Sequence, residues 1–180
     1  MQLKDFIPFV SKKYSNIFFS GIAFDSSKVK KNDIFFAIKG NKFDGNNFID
    51  IAIKKGAKVI VTEKKINKKK ENTVFLYSSN VRKLLANVAF KILDNKPKKL
   101  VAVTGTNGKS SIADFYYQIL KLNYKKVASI GTIGIRHNNE KKSLGNTTLD
   151  PIKLCSIIKD LKKKKTEYII MEASSHGLKK

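Results

Sequence analysis

The sequence predicts an α/β protein in two parts: a small N-terminal α/β domain over residues 1–96, and a doubly wound P-loop domain that begins at residue 97 and is incomplete at residue 180. Three observations predict it. Short runs of β-branched and aromatic residues alternate with helical stripes along the whole chain. A polar break around Pro97 separates two such series. A Gly-Lys-Ser turn joins an apolar run to a helix just after that break.

In the first part, Ile17 to Phe24 and Asp33 to Ile38 read as strands, with turn formers at Ser26, Ser27 and Asn32 between them. Phe43-Asp44-Gly45 reads as a loop. Asn47 to Lys55 then places Ile49, Ala52 and Ile53 on one helical face and stops at Gly56, a residue suited to a C-cap. Lys58 to Thr62 and Val74 to Tyr77 read as strands, and Lys64 to Lys70 as a solvated lysine-rich turn. Asn80 is positioned to cap a helix. Its apolar residues Val81, Leu84, Leu85, Val88, Ala89, Ile92 and Leu93 follow the i, i+3, i+4, i+7 spacing.

Asn95-Lys96-Pro97-Lys98-Lys99 reads as a linker. Beyond it, Leu100 to Val103 is a buried-type strand, and Ile112, Phe115, Tyr116, Ile119 and Leu122 form a helical stripe. Val127 to Ile130 is a second strand. Asp150-Pro151 starts a helix, with aspartate as cap and proline at the first helical position, and Leu154, Ile157, Ile158 and Leu161 are its buried face. Tyr168 to Met171 is a third strand. His137 falls in a polar stretch and is expected to face solvent, whereas Cys155 is expected to be a small core residue. No internal repeat is visible.

Composition excludes several classes. A chain of 180 residues that is 42% hydrophobic is not disordered throughout. It contains no apolar run near the roughly 18–20 residues of a membrane span, and Lys4 and Asp5 interrupt any secretory leader. A single cysteine makes no internal disulfide, so a soluble, cytoplasmic protein is expected. The formal net charge of +23 suggests a polyanion partner at first sight. Yet only two of the 37 basic residues are arginines, Arg82 and Arg136, and the excess is spread over both parts of the chain. Base-edge reading and bidentate phosphate clamps favour arginine, so no specific nucleic-acid function is expected.

The chemistry concentrates in Thr104-Gly105-Thr106-Asn107-Gly108-Lys109-Ser110. Lying between a strand and a helix, this segment sits where a sheet's carboxyl edge meets a helix N-terminus, a natural phosphate cradle. Gly105 and Gly108 allow the backbone to turn its N–H groups inward. Lys109 can reach terminal phosphates, and the Ser110 hydroxyl can ligate Mg2+. The strict pattern has a glycine where Val103 stands, so the motif is a variant. Glu172 follows the third strand of this part and leaves the same sheet edge, either as a solvated strand end or as the carboxylate partner of that cation.

These residues resemble the Mur ligase superfamily, which includes folylpolyglutamate synthetases. The loop carries the resemblance first. Asp25-Ser26-Ser27-Lys28-Val29, Asn32 to Gly40 and Asp44-Gly45 resemble the UDP-binding domain of the later ligases. Asn146-Thr147-Thr148-Leu149-Asp150-Pro151 and Met171 to Leu178 resemble the tripeptide-synthetase branch. That branch uses ATP and Mg2+ to join a diamino acid, meso-diaminopimelate or L-lysine, to UDP-N-acetylmuramoyl-L-alanyl-D-glutamate through an acyl phosphate. The resemblance implies that Phe24, Ser26, Asn41, Lys42 and Phe43 lie against uridine. It implies that Gly105, Thr106, Asn107, Gly108, Lys109, Ser110 and Ser111 contact ATP, and that Asn146, Thr147, Thr148 and Ser174 hold the muramoyl peptide. Lys109 and Glu172 would be catalytic, with Ser110 and Glu172 on the metal. From the residues alone, Phe24 is equally a core aromatic and Ser26 a turn hydroxyl. His176, beside the metal carboxylate, is either catalytic or a packing residue.

Two departures accompany the resemblance. Serine stands at position 27, where the family often has arginine. The family's remaining central strands, its carbamylated lysine, a further magnesium-binding histidine and its C-terminal amino-acid domain are not among the 180 residues. The chain is therefore expected to be an inactive fragment of an enzyme that is monomeric when complete. A folylpolyglutamate synthetase-like ligase is the first alternative, against which residues 20–62 argue. A non-catalytic ATP- or polyanion-binding module is the second.

Overall fold

The computed structural model describes residues 1–40, 43–66, 72–94, 96–138, 140–144 and 149–173. The chain divides into two compact units, Met1–Ile92 and Leu93–Lys180.

The first unit is built on four parallel strands, β1 (Ile22–Ala23), β2 (Ile34–Ala37), β3 (Val59–Thr62) and β4 (Val74–Tyr77), in that spatial order. Every residue of β2 and β3 is buried, as central strands covered on both faces require. One face packs Phe35, Ala37 and Ile60 against Ile49 and Ala52 of α1 (Ile49–Lys54). A single turn of tighter helix over Gly45–Phe48 leads into α1, and Gly56, with φ of +95°, stops it. Helix α2 (Val81–Ile92) buries Val81, Leu84, Leu85, Val88 and Ala89. The Asn80 side chain caps it by accepting from the Lys83 amide at 2.8 Å.

The strand expected from Ile17 is reduced to two residues. Its first half pairs elsewhere: the Leu3 amide donates to the Ile17 carbonyl at 3.0 Å, and the Phe19 amide to the Met1 carbonyl at 2.9 Å. Phe6 and Phe19 meet edge to face with centroids 5.2 Å apart. These contacts draw the aromatic run toward the N-terminal segment, and only Ile22 and Ala23 join the sheet.

The second unit holds a five-stranded mixed sheet in the order β5-β9-β6-β7-β8. The strands β5 (Lys99–Val103), β9 (Tyr168–Glu172) and β6 (Val127–Gly131) are parallel, whereas β7 (Gly134–His137) and β8 (Glu140–Lys142) are antiparallel. Helix α3 (Lys109–Leu122) joins β5 to β6, and α4 (Pro151–Lys163) precedes β9. Asp150 caps α4 through the Lys153 amide at 2.8 Å. Ile157, Ile158 and Leu161 are buried, and Leu154 and Cys155 are half-buried.

The structure departs from the sequence expectations at three places. The hairpin β7–β8 was not expected, because Glu140–Lys142 is wholly polar and shows no alternation. His137 therefore lies on a strand and is buried rather than facing solvent. Most significant is α3. Its buried residues are Ala113 and Tyr117, with Tyr116 and Leu120 packed beside them on Val127 and Ile170. Ile112, Phe115, Ile119 and Leu122 are 54%, 62%, 59% and 77% exposed. The helix is held by its first turn: Ser110 faces the sheet edge, so positions 113, 114 and 117 on the same stripe must face the sheet as well.

Candidate functional site

The phosphate loop leaves β5 at Val103, where Glu172 of β9 is the register partner. The Ala173 amide donates to the Val103 carbonyl at 2.8 Å and holds the two strand ends together. Gly105 has φ of +150°, and Gly108, with φ of +77°, is the left-handed residue that opens α3. A Cβ on Gly108 would meet nothing within 4 Å. Its glycine is therefore needed for backbone angle, not for space. Lys109 folds back over the loop and donates to the carbonyls of Gly105 at 2.7 Å and Thr106 at 3.1 Å. Thr106, Asn107 and Ser111 are exposed.

The Ser110 hydroxyl donates to Glu172 Oε2 at 2.9 Å. A hydroxyl and a carboxylate, both hard oxygen donors, thus meet at a helix N-terminus. This donor set suits Mg2+ when phosphate oxygens and water complete its shell. Among the described residues there is no group of three or more His, Cys, Asp or Glu side chains suited to a metal.

Residues absent from the sequence expectations complete the site. Thr132, just past β6, donates its hydroxyl to Glu172 Oε2 at 3.0 Å and its amide to Oε1 at 3.3 Å. Glycine at position 131 leaves room for the Glu172 carboxylate, which a Cβ there would displace. Arg136 of β7 is ion-paired with Asp114 of α3 and lies over the Tyr117 ring, 4.5 Å from its centroid. Tyr117 in turn donates to the Asn138 carbonyl at 2.6 Å, and burial pushes its phenol above the ordinary value. Ser110, Asp114, Gly131, Gly134, Arg136 and Glu172 share a small cavity with Ser129 and Ile133. From the sequence alone Arg136 has no assigned part in this site; its rarity as an arginine in a lysine-rich chain is the one available signal.

In the first unit, Phe24, Ser26 and Phe43 of the expected uridine residues follow the carboxyl ends of strands of the parallel sheet. Phe24 and Ser26, both half-buried, follow β1, and Phe43, 71% exposed, follows β2. Asp25 accepts from the Ser27 hydroxyl and amide, which hold its carboxyl below the usual range. Asp44 is likewise lowered by the Asn46 amide and side chain. Both turns are thereby fixed. Asn41, Lys42, Asn146, Thr147, Thr148, Ser174 and His176 lie outside the described residues.

Comparison with known proteins matches residues 103–180 to the Mur ligase middle domain and residues 19–96 to the Mur ligase family, catalytic domain. The chain belongs to the Mur ligase family. Among curated relatives, it is 41% identical over 162 residues to a UDP-N-acetylmuramoyl-L-alanyl-D-glutamate–2,6-diaminopimelate ligase of Rickettsia conorii, covering 88% of this chain and 33% of that one. The ligase of the same name from Rickettsia typhi is 39% identical over 178 residues, covering 94% and 35%. A solved structure with that ligase name aligns at a TM-score of 0.82 and 26% identity, over 99% of this chain and 37% of that one. A MurF ligase from Thermotoga maritima in complex with ADP aligns at 0.55 and 28% identity, over 86% and 32%. This Mur ligase chain spans about a third of the length of the curated relatives it matches. Among the described residues, no helix is long and apolar enough to cross a membrane.

Proposed function

We propose that the chain carries the nucleotide-binding part of an ATP-dependent amide ligase of peptidoglycan precursor synthesis. The acceptor is UDP-N-acetylmuramoyl-L-alanyl-D-glutamate, and the added residue is a diamino acid. Meso-diaminopimelate is favoured over L-lysine by the names of the relatives above. The observation that carries the reading is the 2.9 Å contact between Ser110 and Glu172 at the mouth of the phosphate loop.

The division of labour follows from the chemistry. An amine cannot displace oxide from a carboxylate, so one carboxylate oxygen must first be made a phosphate leaving group. The backbone of Gly105, Thr106, Asn107 and Gly108, with Lys109 and Ser111, would cradle ATP, and Lys109 would set its charge against the transferring phosphoryl group. Ser110 and Glu172 would hold Mg2+, which when bound would offset the negative charge of the nucleotide's phosphates. Phe24, Ser26, Asn41, Lys42 and Phe43 would receive the uridine end, and Asn146, Thr147, Thr148 and Ser174 the muramoyl peptide. On this reading the enzyme works in the cytoplasm, acts as a monomer when complete, and needs the rest of a full-length ligase for turnover.

Calorimetric titration of the 180-residue chain with ADP tests this directly. Binding should be tighter with Mg2+ than with EDTA and should persist at moderate salt. Affinity that ignores Mg2+ and vanishes as salt rises would instead mark a non-specific polyanion contact of a basic chain.

A further inference from the structure

Glu172 is held from two sides. Ser110 reaches Oε2 from α3 at 2.9 Å, while Thr132 reaches Oε2 with its hydroxyl at 3.0 Å and Oε1 with its amide at 3.3 Å. The two grips are not equivalent. A serine hydroxyl that ligates a cation directs its oxygen lone pair at the metal, and its bond to Glu172 is then weakened or redirected. A grip that survives cation binding must come from elsewhere. Thr132 is the described residue that supplies it, and it does so from a different element.

The surrounding backbone fits the same purpose. Thr132 and Ile133 form the two-residue turn between Gly131 and Gly134, which are register partners at the ends of β6 and β7. Gly131 has no side chain where a Cβ would strike the carboxylate, and a Cβ on Gly134, at φ of +103°, would strike the Lys142 carbonyl. The turn is thus pressed close to Glu172 on one side and against the end of β8 on the other. Thr132, at its first position, is itself exposed, and its amide and hydroxyl both reach the carboxylate.

We infer that Thr132 is a positioning residue for the metal carboxylate: it keeps Glu172 aimed at the cation site when Ser110 turns from Glu172 to the metal. The inference rests on the nucleotide-site reading above. Partners that orient a metal ligand from behind typically change metal affinity by about 10- to 100-fold.

Manganese is the probe, since free Mn2+ is counted by its paramagnetic resonance signal. The 180-residue chain is titrated with Mn2+ in the presence of ADP, as wild type, Thr132→Val and Thr132→Ser. Valine keeps the shape and removes the hydroxyl; serine restores the hydroxyl. Mn2+ uptake should weaken by about tenfold in Thr132→Val and return to within about twofold of wild type in Thr132→Ser. In EDTA, the difference in ADP affinity between wild type and Thr132→Val should close. Thr132→Ala reports the same loss if circular dichroism shows that valine is not accommodated. Equal Mn2+ affinity in wild type and the hydroxyl-free variants overturns the inference, as does a difference that persists undiminished in EDTA. A wild-type chain that takes up no Mn2+ with ADP overturns the nucleotide-site reading itself, and the inference with it.

Discussion

Val103 and Glu172 are register partners at the ends of adjacent parallel strands, one opening the phosphate loop and the other carrying the carboxylate that meets Ser110. Residues 69 positions apart in sequence are thus joined by a ladder that ends where the chemistry begins. The site's accuracy depends on β5 and β9 keeping register, since a one-residue slip would turn Glu172 to the other face of the sheet.

Lys109→Ala should weaken ADP and ATP binding strongly while leaving the unit folded. The ammonium bonds two loop carbonyls, Gly105 and Thr106, and is the loop's own cation. On nucleotide binding the ammonium would exchange these carbonyls for phosphate oxygens, and one charge-assisted bond of about 1.5–3 kcal/mol corresponds to a loss of about tenfold or more in affinity. Calorimetry reads the affinity, and a melting curve checks the fold. Unchanged affinity would mean that the loop is misassigned.

The two faces of α3 should respond oppositely to substitution. Tyr117→Phe removes the 2.6 Å bond to the Asn138 carbonyl at a buried position and should cost about 1 kcal/mol in urea unfolding. Phe115→Gln and Leu122→Gln, on the exposed face, should stay within about 0.5 kcal/mol of wild type. A large cost at Phe115 would show that this stripe is covered in solution.

Arg136→Lys should not be neutral. Lysine keeps the charge toward Asp114 but loses the planar fork and the stacking on Tyr117. A loss of about 1 kcal/mol in stability is expected, together with a change in near-ultraviolet tyrosine dichroism. An unaltered tyrosine signal would deny the stacking.

Stability should fall as the pH drops below about 6.5, the ordinary histidine value, partly because of His137. Burial, aided by Lys164, holds this imidazole below its ordinary pKa, against the opposing pull of Glu140. The unfolded chain therefore takes up the proton at a higher pH than the native one. The contribution is fully present above the unfolded value and is lost as the pH falls through it toward the lower native value. Urea midpoints at pH 7.5 and 5.5 should differ less in His137→Gln than in wild type.

Much of this was legible in the sequence, for identifiable reasons. Val59–Thr62, Val74–Tyr77 and the helix capped by Asn80 were readable because local pattern and tertiary burial agree there. So was the proximity of Ser110 and Glu172, since strand, loop and helix order decides which edge each leaves. The inward face of α3 was not. Hydrophobic periodicity selects the most apolar stripe, whereas the phosphate loop dictates the helix's rotation and turns Ala113 and Tyr117 inward. Thr132 was equally hidden. A threonine in a two-residue turn carries no local signal, and its meaning lies in an atom of Glu172, 40 residues away.

Among the described residues, the strand that launches the phosphate loop is laced to the sheet on one side only, since β5 ends the spatial order and pairs with β9. Half of its backbone amides depend on a single neighbour for shelter. Opening of that seam would loosen the loop and the carboxylate anchor in the same event. Deuterium uptake at Leu100 to Val103 should therefore slow when nucleotide closes the mouth above them, making this seam an internal gauge of occupancy.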